Sequence, residues 1–346
     1  FMNKFLARIL SVMLAAGLLA ACGQGDGDSA ESGVSQESES SVAAESALEE
    51  ENTAFSIAYP SYMQESEGEA LTLDQRPEDI VVLSNSALQI LIRCEQQPIA
   101  VTEPTSFVEY PDWVADLPVI STGKSTLDTE TVISMEPDLV IMGVHLKEDY
   151  GAQLNEAGIP VYYTSEGPSI TYEEVKEEAI ALTRSFGTEE QAAQVEADFE
   201  TVEKRAAEFQ SVMEAKEMMI LFGAPPSYQQ TSKGYMGSIL NILPFENLSD
   251  TLVDPESRTT PLDLEKLVEL DPEVLFAISP TAPSADTLKQ VYEEEFAKNP
   301  DIWNHLQAVQ NDNLIWLSSE YVTSKGIHII NTMNTLMDML EEKFGS

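Results

Sequence analysis

Two stretches of the sequence share one pattern, and this repeat limits the folds that the chain can adopt. Residues 127–144 read LDTETVISMEPDLVIMGV, and residues 262–279 read LDLEKLVELDPEVLFAIS. Both open on Leu-Asp-x-Glu, continue with apolar periodicity, reach a proline followed by an acidic residue, and end in an apolar run. A helical pattern followed by a short apolar strand is the repeating unit of α/β folds. The two copies therefore predict two α/β units of similar build.

Apolar runs and helical patterns alternate through most of the chain. Within residues 53–170 the predicted strands are DIVVLS, PIAVT, DLVIMGV and IPVYYTS. A second series fills residues 217–346, from EMMILFG to the closing helix GIHIINTMNTLMDMLEEKF. Strands that alternate with helices favour mostly parallel sheets with covered faces. The predicted fold is α/β, with two Rossmann-like lobes.

Residues 171–216, between these lobes, hold the strongest helical pattern. Val195, Phe199, Val202 and Phe209 recur at helical spacing, and Thr188 with Gln191 forms a capping box. A helix of this length crosses roughly 39 Å at about 1.5 Å per residue. We expect one long rigid helix that joins the two lobes and leaves a cleft between them.

The N-terminal region reads as an export signal and a tether. Residues 1–21 combine Lys4 and Arg8 with a short apolar stretch, and they end in Leu-Ala-Ala before Cys22, which resembles a bacterial lipoprotein box. Cleavage before Cys22 and lipidation of its thiol would anchor the chain to a membrane. Residues 22–52 are rich in Ser and Glu, without a basic side chain, and we expect a disordered acidic tether there.

Composition excludes several classes of function. The net charge of −42 argues against nucleic acid, because phosphate binding needs a basic surface. The sequence contains no G-x-S-x-G elbow, phosphate loop or H-E-x-x-H motif, so we expect no enzyme and no intrinsic cofactor. Cys94 lies in the apolar segment ALQILIRCE, which predicts a buried, inert thiol.

Several segments, in their order and spacing, resemble one family. They are RPEDIVVLSNSALQIL, ISMEPDLVI, GIPVYY and IWNHLQAVQNDNLIWL. Together with the lipoprotein box, the two lobes and the single spanning helix, they resemble the substrate-binding lipoproteins of ABC importers for iron–siderophores, haem and cobalamin. The resemblance covers residues 55–346. It implies a monomeric, extracytoplasmic, lipid-anchored protein whose partners are a permease dimer and its ATPase subunits.

The same resemblance gives the repeat a function. In this family each lobe presents one exposed glutamate to arginines of the permease dimer. By position these are Glu130 in LDTETV and Glu265 in LDLEKL. Each lies in the first turn of its predicted helix, where a carboxylate is favoured. The resemblance thus implies that the two glutamates set the docking register.

The ligand site is expected at the carboxyl ends of the strands, which face the cleft. From the loops that follow the strands, the candidate ligand-binding residues are Ser84, Thr105, Lys124, Ser125, His145, Tyr228, Lys233, Tyr235, Met236 and Arg258. A catecholate siderophore or the propionates of haem would use the basic members of this set. A hydroxamate complex or a corrinoid would rely more on aromatic walls.

Two stretches resemble the haem-binding branch of Gram-positive importers: PTSFVEYPDWVADLPVISTG and FGAPPSYQQTSKGYMGSILNILPFENL. That branch holds haem iron between a methionine and a histidine. Here those positions fall near Ser125 and Pro280, so neither ligand is present. His145 follows the strand DLVIM and is the candidate axial ligand to a bound iron complex. The transported ligand is expected to be haem or a ferric siderophore, with cobalamin, a surface adhesin or an enzyme on the same fold as alternatives.

Overall fold

The description rests on a computed structural model that covers residues 54–122, 127–165, 170–225, 227–254 and 256–345. Cys22 and the predicted signal and tether lie outside the described residues, as do Lys124 and Ser125. None of the helices within these ranges is both long enough and apolar enough to cross a membrane.

The N-terminal lobe is built on a four-stranded parallel sheet. Its strands are β3 (Ile80–Leu83), β4 (Ala100–Val101), β5 (Leu139–Gly143) and β6 (Val161–Thr164), in the order β4-β3-β5-β6. Every residue of β3, β5 and β6 is buried, which explains why these strands read as continuous apolar runs. A separate antiparallel pair, β1 (Phe55–Ala58) and β2 (Ala70–Leu73), precedes this sheet and was not predicted from the sequence.

The C-terminal lobe carries a six-stranded mixed sheet. The strands are β7 (Lys216–Phe222), β8 (Tyr228–Gln230), β9 (Phe245–Asn247), β10 (Thr259–Pro261), β11 (Val274–Ile278) and β12 (Leu314–Leu317). The order is β10-β8-β7-β11-β12, and β9 pairs with the beginning of β7. β7, β9, β11 and β12 run parallel, whereas β8 returns antiparallel to β7 because the connection between them is short. The predicted α/β class is confirmed, with this antiparallel edge as an addition.

Thirteen α-helices cover and connect the two sheets. They are α1 (Gln64–Glu67), α2 (Asn85–Arg93), α3 (Thr129–Ser134), α4 (Ala152–Glu156), α5 (Tyr172–Phe186), α6 (Glu189–Val212), α7 (Tyr235–Asn241), α8 (Leu264–Leu270), α9 (Ala285–Lys298), α10 (Pro300–Trp303), α11 (Gln307–Gln310), α12 (Glu320–Thr323) and α13 (Ile329–Phe344). This count refers to the described ranges only.

The long helix between the lobes is α6. Thr188 caps it, and the reciprocal contact between Thr188 and Gln191 forms the predicted capping box. Its 24 residues correspond to roughly 36 Å at about 1.5 Å per residue. The predicted apolar stripe, including Val195, Phe199 and Val202, is buried. On its other side Arg205 contacts Asn334 and Asp338 of α13, so α6 is held along the closing helix as well.

The sequence repeat is a structural repeat. α3 and β5 in the first lobe correspond to α8 and β11 in the second, and both helices begin after an aspartate N-cap. After each helix one acidic residue adopts a left-handed backbone conformation, Glu136 with φ +50° and Asp271 with φ +43°. A proline follows each of these residues and prevents the helix from continuing. The chain therefore turns from helix to central strand in the same way in both lobes.

Candidate functional site

The first expected docking residue lies at the start of α3. Asp128 caps this helix by accepting a hydrogen bond from the backbone N–H of Thr131 at 3.0 Å and a second one from its hydroxyl at 2.6 Å. These bonds to Thr131 hold the pKa of the Asp128 carboxyl below its ordinary value, so the cap is charged at neutral pH. Glu130 is the second residue of the helix and is exposed.

The second expected docking residue has the same local setting in α8. Asp263 caps this helix by accepting hydrogen bonds from the backbone N–H groups of Glu265 and Lys266 at 2.9 and 3.2 Å. Glu265 is again the second helical residue and is exposed. Lys266 pairs with Glu269 at 2.6 Å instead. Within the described ranges, neither Glu130 nor Glu265 forms an ion pair through its carboxylate.

The strand-end candidates of the first lobe differ in exposure. Ser84 is buried; its hydroxyl caps α2 by accepting from the N–H of Ala87 and lies 3.0 Å from the hydroxyl of Ser86. Thr105 is half-buried, with its hydroxyl 3.1 Å from that of Tyr110. His145, directly after β5, is exposed. Of these candidates, His145 has the most accessible side chain.

The strand-end candidates of the second lobe divide into two groups. Tyr228 and Lys233 are exposed, and Tyr228 keeps 49% of its surface open. Tyr235 and Met236 are buried in the first turn of α7. The Tyr235 hydroxyl donates to the backbone carbonyl of Ser324, and burial raises the pKa of this phenol. The structure therefore places Tyr235 and Met236 in the core, away from any open surface.

Arg258 joins the second lobe to α5, a helix of the connecting segment that packs on α2 and β1 of the first lobe. One of its guanidinium nitrogens lies 3.8 Å from a carboxylate oxygen of Glu174, in the first turn of α5. Close by, the hydroxyl of Ser238 in α7 accepts a hydrogen bond from the backbone N–H of Tyr172 at 2.9 Å. These contacts connect the two lobes at the start of α5.

A second set of contacts connects the lobes at α2. The side chain of Gln89 donates to the carbonyl of Lys325 at 3.0 Å and accepts from the N–H of His328 at 2.9 Å. The rings of Phe107 and His328 lie 5.6 Å apart. The two lobes are thus in contact at α2 as well as at α5.

A comparison with models of protein families shows which family the chain belongs to. The model of a family described as periplasmic binding protein matches residues 80–321, which is more than half of the chain. The chain belongs to this family.

Individual members show how close the relation is. The high-affinity haem uptake protein IsdE of Staphylococcus aureus is 25% identical over 240 residues, 68% of this chain and 77% of that protein. Its haem-bound crystal structure superposes with a TM-score of 0.61 at 19% identity, over 75% of this chain and 97% of that one. An ABC-transporter substrate-binding protein from Listeria monocytogenes gives 0.65 at 19% identity, over 78% and 100%. SirA of S. aureus complexed with staphyloferrin B gives 0.58 at 18% identity, over 80% and 96%.

Sequence reasoning missed one polar cluster of this family member. Glu178 of α5 is 3% exposed, and its carboxylate accepts from the backbone N–H of Ser165 at 2.7 Å and from the hydroxyls of Ser86 at 3.2 Å and Tyr62 at 3.4 Å. Burial, and next the charge of Glu178, raise the pKa of Tyr62. The sequence signal for this cluster is a glutamate on the apolar face of α5, three residues after Val175. The cluster fixes the end of β6 to the first turn of α2.

One cavity of this family member lies between α2, the loop after β4 and the start of α13. It has a volume of about 660 Å³, and its lining includes Ile92, Phe107, Tyr110, Asp198 and His328. Arg93 and Asp198 pair at 3.1 Å, and His328 lies 3.2 Å from Glu320. Arg93, Asp198 and His328 of the lining therefore already have side-chain partners.

Metal coordination by the protein alone has no support in the described ranges. They contain no group of three or more His, Cys, Asp and Glu side chains placed to hold an ion. A zinc or manganese site of three histidines and a carboxylate would need such a group.

Proposed function

We propose that this chain is the extracytoplasmic, lipid-anchored substrate-binding protein of an ABC importer, and that it delivers an iron complex to the permease. The ligand is haem, a related tetrapyrrole or a ferric siderophore, bound in the cleft between the lobes. The observation that carries the proposal is the repeated helix start: Glu130 and Glu265 occupy the same exposed position behind equivalent aspartate caps. Family membership supports the transport role.

Docking follows from the position of these two carboxylates. A permease dimer is two-fold symmetric, so it presents the same basic group twice. A binding protein with one exposed glutamate in each lobe offers two matching partners. Such rim charges steer association and set the register more than they add affinity.

Haem is supported by the relation to IsdE, whose name describes haem uptake. His145 is the residue that could ligate the iron through a neutral ring nitrogen. It is exposed directly after β5, and its ring makes no hydrogen bond with another described residue. Ser125 and Pro280, which stand where the haem-binding branch has its ligands, cannot supply a comparable nitrogen or thioether.

A ferric siderophore is supported by SirA, which was solved with staphyloferrin B. An anionic chelate would need cations at the cleft. Lys233 is exposed, and Arg258 keeps 38% of its side chain open while it contacts Glu174. These two residues are the basic groups that we assign to such a ligand.

Parallel titrations with haemin and with a ferric siderophore show which of the two ligands the chain binds. The soluble chain from Gly23 onward is titrated with haemin and, in parallel, with ferric staphyloferrin B, and the Soret band and tryptophan fluorescence are recorded. His145→Ala is compared with His305→Ala, because His305 is an exposed histidine on the short segment after α10. A one-to-one Soret shift that His145→Ala weakens and His305→Ala leaves unchanged supports haem. Saturable binding of the siderophore alone supports that ligand, and binding of neither rejects both haem and this siderophore as the ligand.

A further inference from the structure

We infer that each lobe carries an apolar socket beside its docking glutamate, and that each socket receives an apolar side chain of the permease. This inference rests on the proposed function, since it describes the same docking face. It adds a second kind of contact to the two charges. The occupant is an apolar residue next to the permease cation that meets Glu130 or Glu265.

The socket of the first lobe lies beside the start of α3. We call it the N-socket and define it by Val119, Ile120 and Leu127, with Asp128 and Thr131 at its edge. Ile120 and Leu127 are buried and form its base, whereas Val119 is 53% exposed. An exposed valine beside a concave apolar surface indicates a site that a binding partner covers.

The socket of the second lobe lies beside the start of α8. We call it the C-socket; it is a cavity of about 230 Å³ lined by Pro225, Ser227, Leu262, Leu264, Glu295, Lys298 and Trp303. Trp303 is 2% exposed and forms part of the apolar lining, while Lys298 is open at the rim. This volume is of the order of one large apolar side chain, whereas the N-socket is larger, at about 540 Å³.

Two exposed apolar residues lie on the helices that contribute to the C-socket. Val268 lies one turn after Leu264 on α8 and is 38% exposed, and Val291 lies one turn before Glu295 on α9 and is 40% exposed. Five large apolar side chains are exposed in the described ranges: Val119, Val212, Tyr228, Val268 and Val291. Three of these, Val119, Val268 and Val291, line a socket or stand on a helix that does.

The repeat places the two sockets at corresponding positions. Leu127 and Leu262 each directly precede the aspartate cap, and each lines the socket of its own lobe. A leucine before a cap can pack on the fourth helical residue as a hydrophobic staple, here Val132 and Leu267. That packing accounts for the two leucines, but it does not account for the exposed Val119 beside Leu127. Because leucine and glutamate lie three residues apart in both copies, each lobe offers the same pairing of apolar base and charge.

The chemistry of the partner follows from this pairing. An exposed ion pair contributes little affinity by itself, whereas an apolar group removed from water contributes more. The permease side would carry a cation and an adjacent apolar residue on each subunit. The two glutamates would then set the register, and the two sockets would hold the complex.

Filling the sockets tests the inference. The full chain is bound to its own permease–ATPase complex in nanodiscs, and the dissociation constant is measured by biolayer interferometry. Val119→Trp fills the N-socket, and Leu264→Trp fills the C-socket. Lys298→Trp fills the C-socket from its exposed rim and serves if Leu264→Trp does not fold. Val212→Trp is the matched control, because Val212 ends α6 and is 81% exposed.

We expect each filled socket to weaken docking about tenfold or more, with Val212→Trp unchanged and ligand affinity unchanged in every variant. The inference is overturned if the filled variants dock as Val212→Trp does. Glu130→Arg with Glu265→Arg is measured in the same series. Loss of docking in that pair alone would retain the proposed function and reject the sockets. Loss in the filled variants alone would reject the docking glutamates, and with them the pairing of socket and charge that the inference states.

Discussion

Asp138 and Glu273 accept backbone hydrogen bonds at equivalent points of the two lobes. Asp138 lies directly before β5, and its carboxylate accepts from the N–H groups of Glu78 and Asp79 at 2.9 and 3.0 Å, just before β3. Glu273 lies directly before β11, and its carboxylate accepts from the N–H of Glu217 in β7 at 3.1 Å. The acidic residue after each proline thus joins the two central strands of its own sheet at their beginning.

The first prediction concerns this clamp in the N-terminal lobe. Asp138→Ala leaves two N–H groups without their acceptor, and hydrogen bonds to a charged group contribute about 1.5–3 kcal/mol each. We expect the free energy of unfolding to fall by about 2–3 kcal/mol. Asp138→Asn keeps a neutral acceptor and should lose less than half as much. Urea midpoints at an unchanged m-value measure both, and equal losses in the two variants would argue against the clamp.

The second prediction concerns the junction of the lobes at Gly326. Its φ is +78°, and a Cβ at this position would lie 2.9 Å from the Cα of Ser86. Gly158 has a similar φ of +80° but open space around it. Both glycine-to-alanine variants lose about 1–2 kcal/mol to the left-handed backbone conformation. Gly326→Ala should lose about 1–3 kcal/mol more because the lobes must move apart. Equal thermal shifts in the two variants would refute a tight junction.

The third prediction concerns the thiol of Cys94. It is 3% exposed, and burial raises its pKa to about 11, so the reactive thiolate is scarce at neutral pH. In the chain from Gly23 onward it is the single cysteine. We expect a thiol reagent such as DTNB at pH 8 to label it only at the rate of unfolding, and fully in urea. Complete labelling of the native protein within seconds would contradict a structural role.

The fourth prediction concerns motion on binding. α6 is a continuous helix, and Gln89 and Arg258 tie the lobes together on two sides. Closure by a few degrees is therefore expected, rather than the wide rotation of a flexible hinge. Solution X-ray scattering with and without ligand should give nearly the same radius of gyration. A marked compaction would show that these contacts open in the free protein.

Much of the fold could be predicted because its signals are local. The capping box of Thr188 and Gln191 and the stripe from Val195 to Phe209 define α6 without any tertiary information. The continuous apolar runs of β5 and β11 likewise predict these two strands without tertiary information. The β1–β2 pair escaped prediction because its strands are short and only half-buried, so they lack an apolar run.

The candidate site was less predictable, since position at a strand end does not determine which way a side chain points. Tyr235 and Met236 follow β8 closely in sequence, yet the first turn of α7 directs both into the core. Glu178 shows the opposite case: its place on the apolar face of α5 indicates a buried carboxylate, but it does not indicate which residues of three other segments converge on it. Glu130 and Glu265 could be proposed because the family resemblance implies one docking glutamate in each lobe, and the repeat shows the matching position in both copies.

The most direct test of the account is uptake by cells that carry Glu130→Arg together with Glu265→Arg in place of the normal chain. Uptake of the iron-55 form of the chelate that binds in the titration is measured, alongside its dissociation constant for the purified variant. The account predicts that uptake is lost while ligand affinity is unchanged, because it assigns the two glutamates to the permease contact and not to the ligand. Normal uptake by this variant, or a loss of ligand affinity, would contradict it.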